Sequence, residues 1–270
     1  MLAVSFELRQ ASDGRHALDD LRIRATQWEA FEVTKLIGRF RMIPRMEEVG
    51  GTGVAACAEF GVVEIPYLGV DRGHAACIAD KAVRPVLVPI AEKAGYRILG
   101  VWENGYREIT NNKRPIVKPE DLAGIKLRVP GGVWRVKMFK AYGASPSPME
   151  LKEVFVALQT GVMDGQENPL TKIWSQKFQE VQKYLSLTGN VYTPAFVAVG
   201  TKRWESLPAD VRKIIEDTAK ETQAFVYQRA KKDDEELVAK FVAAGMKVNQ
   251  ADKDAFIKAS KSIYEEFGAD

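Results

Sequence analysis

Residues 118–194 read KPEDLAGIKLRVPGGVWRVKMFKAYGASPSPMELKEVFVALQTGVMDGQENPLTKIWSQKFQEVQKYLSLTGNVYTP, and three pieces within this stretch decide how the chain is interpreted. They are DLAGIKLRVP at 121–130, SPMELKEVFVALQTGVMDGQENP at 147–169 and KFQEVQKYLSLTG at 177–189. The first contains a short apolar alternation and the second an apolar run at helical spacing, with glycine and proline at their borders. Strand and helix signals that alternate in this way are typical of an α/β domain.

Three short segments have the pattern of buried strands. In Ile125–Val129 the apolar side chains alternate with Lys126 and Arg128, so the two sets lie on opposite faces of the strand. Tyr96–Glu103 and Ala195–Val199 are apolar runs of strand length, and Gly95 precedes the first of them. These segments predict a parallel α/β sheet.

Two helices are predicted from their start signals and their apolar spacing. Ser147–Glu150 has the S-x-x-E spacing of a capping box with Pro148 at the first helical position, so a helix is expected to begin there and to end near Gly161. Ser206–Asp210 opens a longer helix, whose apolar residues recur until Gly245. This second helix is longer than is usual in a globular domain.

Composition and motifs argue against several classes of protein. The formal charge of +3 comes from basic residues interleaved with acidic ones, whereas a nucleic-acid-binding protein gathers its basic residues in one stripe. No run of eighteen apolar residues occurs, so no membrane span is expected. The two histidines, His16 and His74, lie in unrelated contexts, and Gly51–Ala56 matches a dinucleotide fingerprint without a buried strand before it. We therefore expect no catalytic residues, no metal and no cofactor.

The three pieces together closely resemble the solute-binding subunit of TRAP transporters, the DctP type, over about residues 52–270. The resemblance implies a periplasmic protein that binds an organic acid and delivers it to membrane carrier subunits. It also implies a fold of two α/β lobes, joined by crossing strands and by a long helix that spans both. By the family plan, residues 1–104 with 194–233 form lobe I, and residues 105–193 with 234–270 form lobe II.

The first fifty residues differ from the rest of the chain. They contain seven Arg and one Lys, whereas residues 171–270 contain three Arg and thirteen Lys. The opening strand and long helix that the resemblance would place there are not recognisable. We therefore predict that residues 1–50 do not supply these elements and that the first lobe is incomplete. The N-terminus also lacks the pattern of a secretory signal, although the resemblance implies a periplasmic location.

Arg128 is the residue expected to grip a carboxylate. It ends a strand that is predicted to be buried, just before Pro130, and ligands of α/β proteins bind at the carboxyl ends of parallel strands. Its planar guanidinium can give a carboxylate two parallel hydrogen bonds. The resemblance assigns the same role to this arginine.

The resemblance adds further residues to the site. Arg107 occupies the place of another binding arginine, and Asn168 that of an asparagine that hydrogen-bonds the ligand or its arginine-bound carboxylate. Trp134 is expected to shape the pocket, although its position is equally plausible for a core residue. Glu167 is expected to pair with an arginine, whereas Arg114 is expected to be a solvated loop charge.

Alternatives to a transport receptor stay open at this point. They are an α/β enzyme that acts on an organic acid, a sensor subunit that binds the same acid, and a truncated receptor whose first lobe cannot close. The identity of the acid is open as well, because Leu151 and Asn190 stand where some sialic-acid-binding relatives carry phenylalanine and histidine.

Overall fold

Strands and helices alternate along the part of the chain that the computed structural model describes, which is residues 42–43, 58–69 and 71–269. The strands are β1 (Met42–Ile43), β2 (Tyr96–Asn111), β3 (Lys126–Val129), β4 (Ser145–Pro148), β5 (Gly165–Pro169), β6 (Tyr184–Leu187), β7 (Tyr192–Gly200) and β8 (Lys247–Gln250). The α-helices are α1 (Arg72–Ile78), α2 (Arg84–Lys93), α3 (Val133–Ala141), α4 (Leu151–Gln159), α5 (Leu170–Ser175), α6 (Thr201–Glu205), α7 (Ala209–Ala243), α8 (Lys253–Ala259) and α9 (Lys261–Ala269). Short 3₁₀ helices cover Ala58–Glu64, Pro119–Leu122 and Phe178–Glu180, and a π-helical stretch, Ala79–Val83, joins α1 to α2.

One long strand, β2, belongs to both halves of the sheet. Its first part pairs antiparallel with β7, and its last part, from Arg107, pairs antiparallel with β5 and β6. The sheet continues as β1-β7-β2-β5-β3-β4, with β8 added beside β6. The predicted parallel arrangement therefore holds for β3 with β4 and β5, and for β6 with β8. Around β2 the prediction of a parallel sheet is wrong, because β2 runs antiparallel to each of the three strands it pairs with, β5, β6 and β7.

The apolar core falls into clusters that define two lobes. Helices α1 and α2 cover one face of the β2–β7 half, and α6 with part of α7 covers the other face. The second half packs against α3, α8 and α9 on one side and against α4, α5 and the end of α7 on the other. Helix α7 contributes Ala219 to a first-lobe cluster and Leu237 and Phe241 to a second-lobe cluster. The prediction of a long helix that spans both lobes is therefore confirmed.

Two predicted element borders differ from the structure. The strand predicted at Tyr96–Glu103 continues to Asn111, because polar residues of this extension are buried in pairing with β5 and β6. Ser147–Glu150 forms no capping box: Ser147 pairs with Arg128 in the parallel ladder of β4 and β3. The helix begins only at Leu151, since pairing with a neighbouring strand prevails over the local capping signal.

Several predictions concern residues outside the described part of the chain. Within 1–50 the structure describes Met42–Ile43, which pair antiparallel with Val197 and Phe196 of β7. The absence of an opening strand and helix in 1–50, and the role of Gly51–Ala56, lie outside the described residues. The exact lobe borders at 104, 193 and 233 also stay predictions.

The close approach of β5 to β2 makes Gly165 a test of this sheet. A Cβ on Gly165 would lie 2.8 Å from Asn111 Cβ, and it would also clash with the Thr110 carbonyl oxygen. Gly165→Ala should therefore lower the free energy of unfolding by about 1–3 kcal/mol. Gly200→Ala is the matched control, because a Cβ there meets nothing within 4 Å. Thermal unfolding followed by circular dichroism measures both variants, and equal midpoints would contradict the register.

Candidate ligand-binding site

The buried carboxylate of Glu167 is the centre of the candidate site. Every residue of β5 (Gly165–Pro169) is buried, and the Glu167 side chain is 0% exposed. Arg107 binds it through Nε to Oε2 and through Nη2 to Oε1 at 3.0 Å. Arg135 Nη1 donates to both carboxylate oxygens, at 3.0 and 3.1 Å. A buried carboxylate needs such charged donors, because burial without them is strongly unfavourable.

Arg107 is held at its backbone as well as at its guanidinium. Its N–H donates to the Val191 carbonyl at 2.9 Å, and its carbonyl accepts from Asn190 N–H at 3.2 Å. Its Nη2 also donates to the Glu167 carbonyl at 2.8 Å. The side chain is 1% exposed, so both its position and its orientation are fixed by neighbouring groups.

Asn168 joins the same network. Its Oδ1 accepts from Arg107 Nη2 at 3.1 Å, and its Nδ2 donates to Gln166 Oε1 at 2.6 Å. Gln166 in turn donates to Thr110 Oγ1 at 3.0 Å. The amide of Asn168 is thereby oriented, because its oxygen faces an arginine donor and its nitrogen an acceptor.

Arg128 lies on the other side of β5 from Arg107. β3 pairs with β5 so that Arg128 is opposite Gln166, whereas β2 pairs with the other edge so that Arg107 is opposite Pro169. Arg128 is 1% exposed, and its Nε and Nη2 both donate to the Met149 carbonyl, with 2.8 Å for Nε. The structure thus places Arg107, Arg128 and Asn168 on three adjacent strands.

Trp134 and Arg114 occupy different surroundings. The Trp134 ring is half-buried, lies 5.0 Å from the Phe267 ring and is covered by Lys137 Nζ at 4.3 Å. These are contacts of a packing residue, and the predicted role of Trp134 in shaping a pocket stays a prediction. Arg114 is exposed, as expected, although its guanidinium also donates to the carbonyls of Asp121 and Ala123.

The sequence interpretation missed Arg135. In a helix rich in basic residues it resembles a solvated charge, yet its side chain is 2% exposed. A signal was present: Arg135, Met138, Phe139 and Tyr142 recur at helical spacing and are all buried. A charged residue within an apolar stripe indicates a buried partner of opposite charge.

A second group of ion pairs, centred on Arg72, joins α1, β2 and α7. Arg72 of α1 donates from Nε to Glu103 of β2 at 2.6 Å and from Nη2 to Asp234 of α7 at 2.6 Å. Burial raises the pKa of Glu103 to about 7, although the contact with Arg72 acts in the opposite direction. Three elements of the fold therefore meet at one arginine.

Glu108, next to Arg107 on β2, is a further buried acid. Its Oε2 accepts from Gly189 N–H at 2.7 Å. Burial raises the pKa of Glu108 to about 8, although that hydrogen bond and the charge of Lys253 lower it. The position favours the protonated acid in the folded state.

The antiparallel pair of β2 and β7 and the helix that contributes to the cores of both lobes agree with the two-lobe plan that the resemblance implies. The family model of the bacterial extracellular solute-binding proteins, family 7 (DctP), matches residues 53–270. The chain belongs to this family, which confirms the resemblance to TRAP solute-binding subunits.

The similar proteins include receptors for different acids. A TRAP periplasmic solute-binding protein from Polaromonas, bound to D-erythronate, is 34% identical with a TM-score of 0.77, covering 85% of this chain and 78% of that structure. The sialic acid-binding periplasmic protein SiaP of Vibrio cholerae is 36% identical over 76% of this chain and 64% of its own length. The 2,3-diketo-L-gulonate-binding periplasmic protein YiaO of Escherichia coli is 32% identical over 79% of this chain and 66% of its length. The chain thus spans just under two thirds of either curated relative.

Two negative findings apply to the described residues. No helix among them is long and apolar enough to cross a membrane. Nor does this part of the chain bring together three or more His, Cys, Asp or Glu residues that could hold a metal ion.

Glu108 gives a prediction for the pH dependence of stability. Its pKa rises from an ordinary value of 4.5 to about 8 on folding, so folding takes up a proton between these values and stability falls as the pH rises through this range. Glu108→Gln cannot ionise and keeps an oxygen for Gly189 N–H. Its stability relative to wild type should increase from pH 5 to pH 8, by at most about 1.4 kcal/mol per pH unit.

Urea unfolding at each pH measures this difference. Glu153→Gln, at an exposed position of α4, is the control and should follow the wild type. A constant difference between Glu108→Gln and wild type over this range would show that Glu108 does not titrate on folding.

Proposed function

We propose that the chain is an extracytoplasmic solute receptor that binds the carboxylate of an organic acid between its lobes. Arg128 is the main carboxylate donor in this proposal, and Arg107 and Asn168 assist it. Trp134 contributes to the wall of the site. The receptor binds its acid without changing it chemically, so the chain is not an enzyme.

The observation that carries the proposal is the placement of Arg107 and Arg128 on the two strands that flank β5. Both guanidinium groups are buried, and Asn168 lies on the strand between them. Buried, oriented guanidinium groups bind planar anions better than flexible surface lysines do, since their fork is already arranged. The relatives support the ligand class, because D-erythronate, sialic acid and 2,3-diketo-L-gulonate all carry a carboxylate.

The same family supports a location and partners for the proposed receptor. The similar proteins are named as periplasmic, and the family description is extracellular. We therefore place the chain in the periplasm, where it delivers its acid to the membrane carrier subunits of a TRAP transporter. A sensor that binds the same acid is the second candidate, and the presence of carrier genes beside the coding sequence separates the two.

A ligand screen tests the receptor function directly. D-erythronate, sialic acid, 2,3-diketo-L-gulonate and succinate are added to the purified chain, and the unfolding midpoint is measured. An acid present at a hundredfold excess over its Kd should add about 2.7 kcal/mol of stability. Stabilisation by no acid in a wider screen would favour the truncated receptor, and turnover of a bound acid, detected by mass spectrometry, would favour an enzyme.

Substitution of Arg128 tests the site. With the acid that stabilises best, Arg128→Ala should lose about 2–5 kcal/mol of binding free energy, a loss of roughly thirty- to several-thousandfold in affinity. Arg128→Lys should also bind poorly, because an ammonium keeps the charge but lacks the planar fork. Isothermal titration calorimetry measures both, with Arg114→Ala as the control at an exposed arginine. Near-normal binding by Arg128→Ala would remove Arg128 from the site.

A further inference from the structure

Among the contacts of the described residues, Arg135 joins Glu167 to a second carboxylate, that of Glu64. Its Nη1 binds both oxygens of Glu167, and its Nη2 lies 3.7 Å from Glu64 Oε1. Glu64 ends the 3₁₀ helix Ala58–Glu64. Its side chain is 16% exposed, compared with 2% for Arg135, so the pair lies at the border between buried and hydrated surroundings.

The segment that carries Glu64 contacts both lobes. Val62 and Val63 pack on the first-lobe cluster that contains Val101 and Phe196. At the other end, Ile65 belongs to the second-lobe cluster beneath α3. Glu64 therefore lies where the chain passes from one lobe's core to the other's.

The approach between this segment and the start of α3 is close. A Cβ on Gly132 would lie 2.9 Å from Glu64 Cδ, and a Cβ on Gly61 would lie 2.9 Å from Trp134 Cδ1. The two glycines leave room for the side chains of Glu64 and Trp134, and Glu64 thereby lies beside the start of α3, the helix that carries Arg135. A shift of the 3₁₀ helix relative to α3 would change the distance between Glu64 and Arg135, which is 3.7 Å here.

The same arginine helps to hold the Glu167 carboxylate in the orientation that faces Arg107. A carboxylate can rotate about its terminal bond, and bonds from Arg135 to both oxygens oppose that rotation. Arg107 depends on this orientation, because its Nε and Nη2 bind one oxygen each. Displacement of Arg135 would therefore be transmitted through Glu167 to Arg107.

We propose that Arg135 is a positioning residue of the acid-binding site: it fixes Glu167 against Arg107 and links this arrangement to Glu64 on the segment that bridges the lobes. The proposal rests on the proposed function, in which Arg107 assists binding. It adds a residue that does not touch the acid but determines how well Arg107 is placed for it. Ligand binding and the contact between Glu64 and Arg135 are then coupled.

The first experiment needs no ligand, so its result is independent of the receptor function. Arginine Nε–H signals are recorded by ¹H–¹⁵N NMR for wild type, Arg135→Met, Arg135→Lys and Lys140→Met. The Arg107 Nε–H signal should shift and exchange faster with solvent in Arg135→Met, because the Glu167 carboxylate loses the two bonds from Arg135 and is then held by Arg107 with greater freedom to move. Arg135→Lys should restore part of the protection. Lys140→Met, at an exposed position of the same helix, should leave the signal unchanged.

The second experiment measures affinity for the acid chosen in the ligand screen. Arg135→Met should weaken binding by about 3- to 30-fold, and Glu64→Gln should weaken it in the same direction by a smaller factor. The double variant should bind no more weakly than Arg135→Met, because Glu64 acts through Arg135. If Arg135→Met does not fold, the affinities of Arg135→Lys and Glu64→Gln test the proposal instead. Both variants should bind the acid more weakly than wild type does.

The outcomes separate the two proposals. An unchanged Arg107 signal in the Arg135 variants overturns the positioning role, whether or not the chain binds an acid. A lower unfolding midpoint with unchanged affinity and an unchanged Arg107 signal shows a structural role only. Failure of the wild type to bind any acid overturns the receptor function, while the NMR result still decides whether Arg135 orients Arg107.

Discussion

The site depends on one buried carboxylate that must stay paired. Glu167 has no exposed surface, so its charge is compatible with folding only where guanidinium groups replace water. Arg107 and Arg135 approach it from β2 and α3, and three elements of the second lobe are thereby fixed to one point. The orientation of Arg107 follows from this constraint, and the orientation of Asn168 follows from Arg107.

β2 extends the constraint across the molecule. Four residues before Arg107, Glu103 on the same strand binds Arg72 of α1, and Arg72 also binds Asp234 of α7. β2 thus carries two ion-pairing residues. Glu103 pairs with Arg72 of α1, and Arg107 pairs with Glu167 at the candidate site. A buried pair such as Arg107 with Glu167 adds little net stability compared with apolar residues, but breaking it is strongly destabilising. The ion pairs connect separate elements of the fold: Arg72 joins α1, β2 and α7, and Glu167 joins β5 to β2 and α3.

Family membership accounts for the fold but not for the ligand. Relatives with the same architecture are named for acids as different as sialic acid and 2,3-diketo-L-gulonate. A shared scaffold therefore leaves specificity to individual side chains. In this chain Glu167 is bound by two arginines, Arg107 and Arg135, whereas the family resemblance predicted a pair with a single arginine.

The sequence by itself determined the family, the α/β class, the long helix to Gly245 and the strands around Val101, Leu127 and Val197, since apolar periodicity and motif order are local properties of the chain. It also singled out Arg107, Arg128 and Asn168, whose placement on adjacent strands the structure then supplied. Only the tertiary structure decided that β2 continues to Asn111, that Ser147 joins a strand instead of capping a helix, and that Arg135 is buried. Each of these features depends on a partner that is distant in sequence. Such a partner can reverse the secondary-structure preference of a short segment, because the hydrogen bonds and ion pairs that form on folding outweigh the local capping and spacing signals.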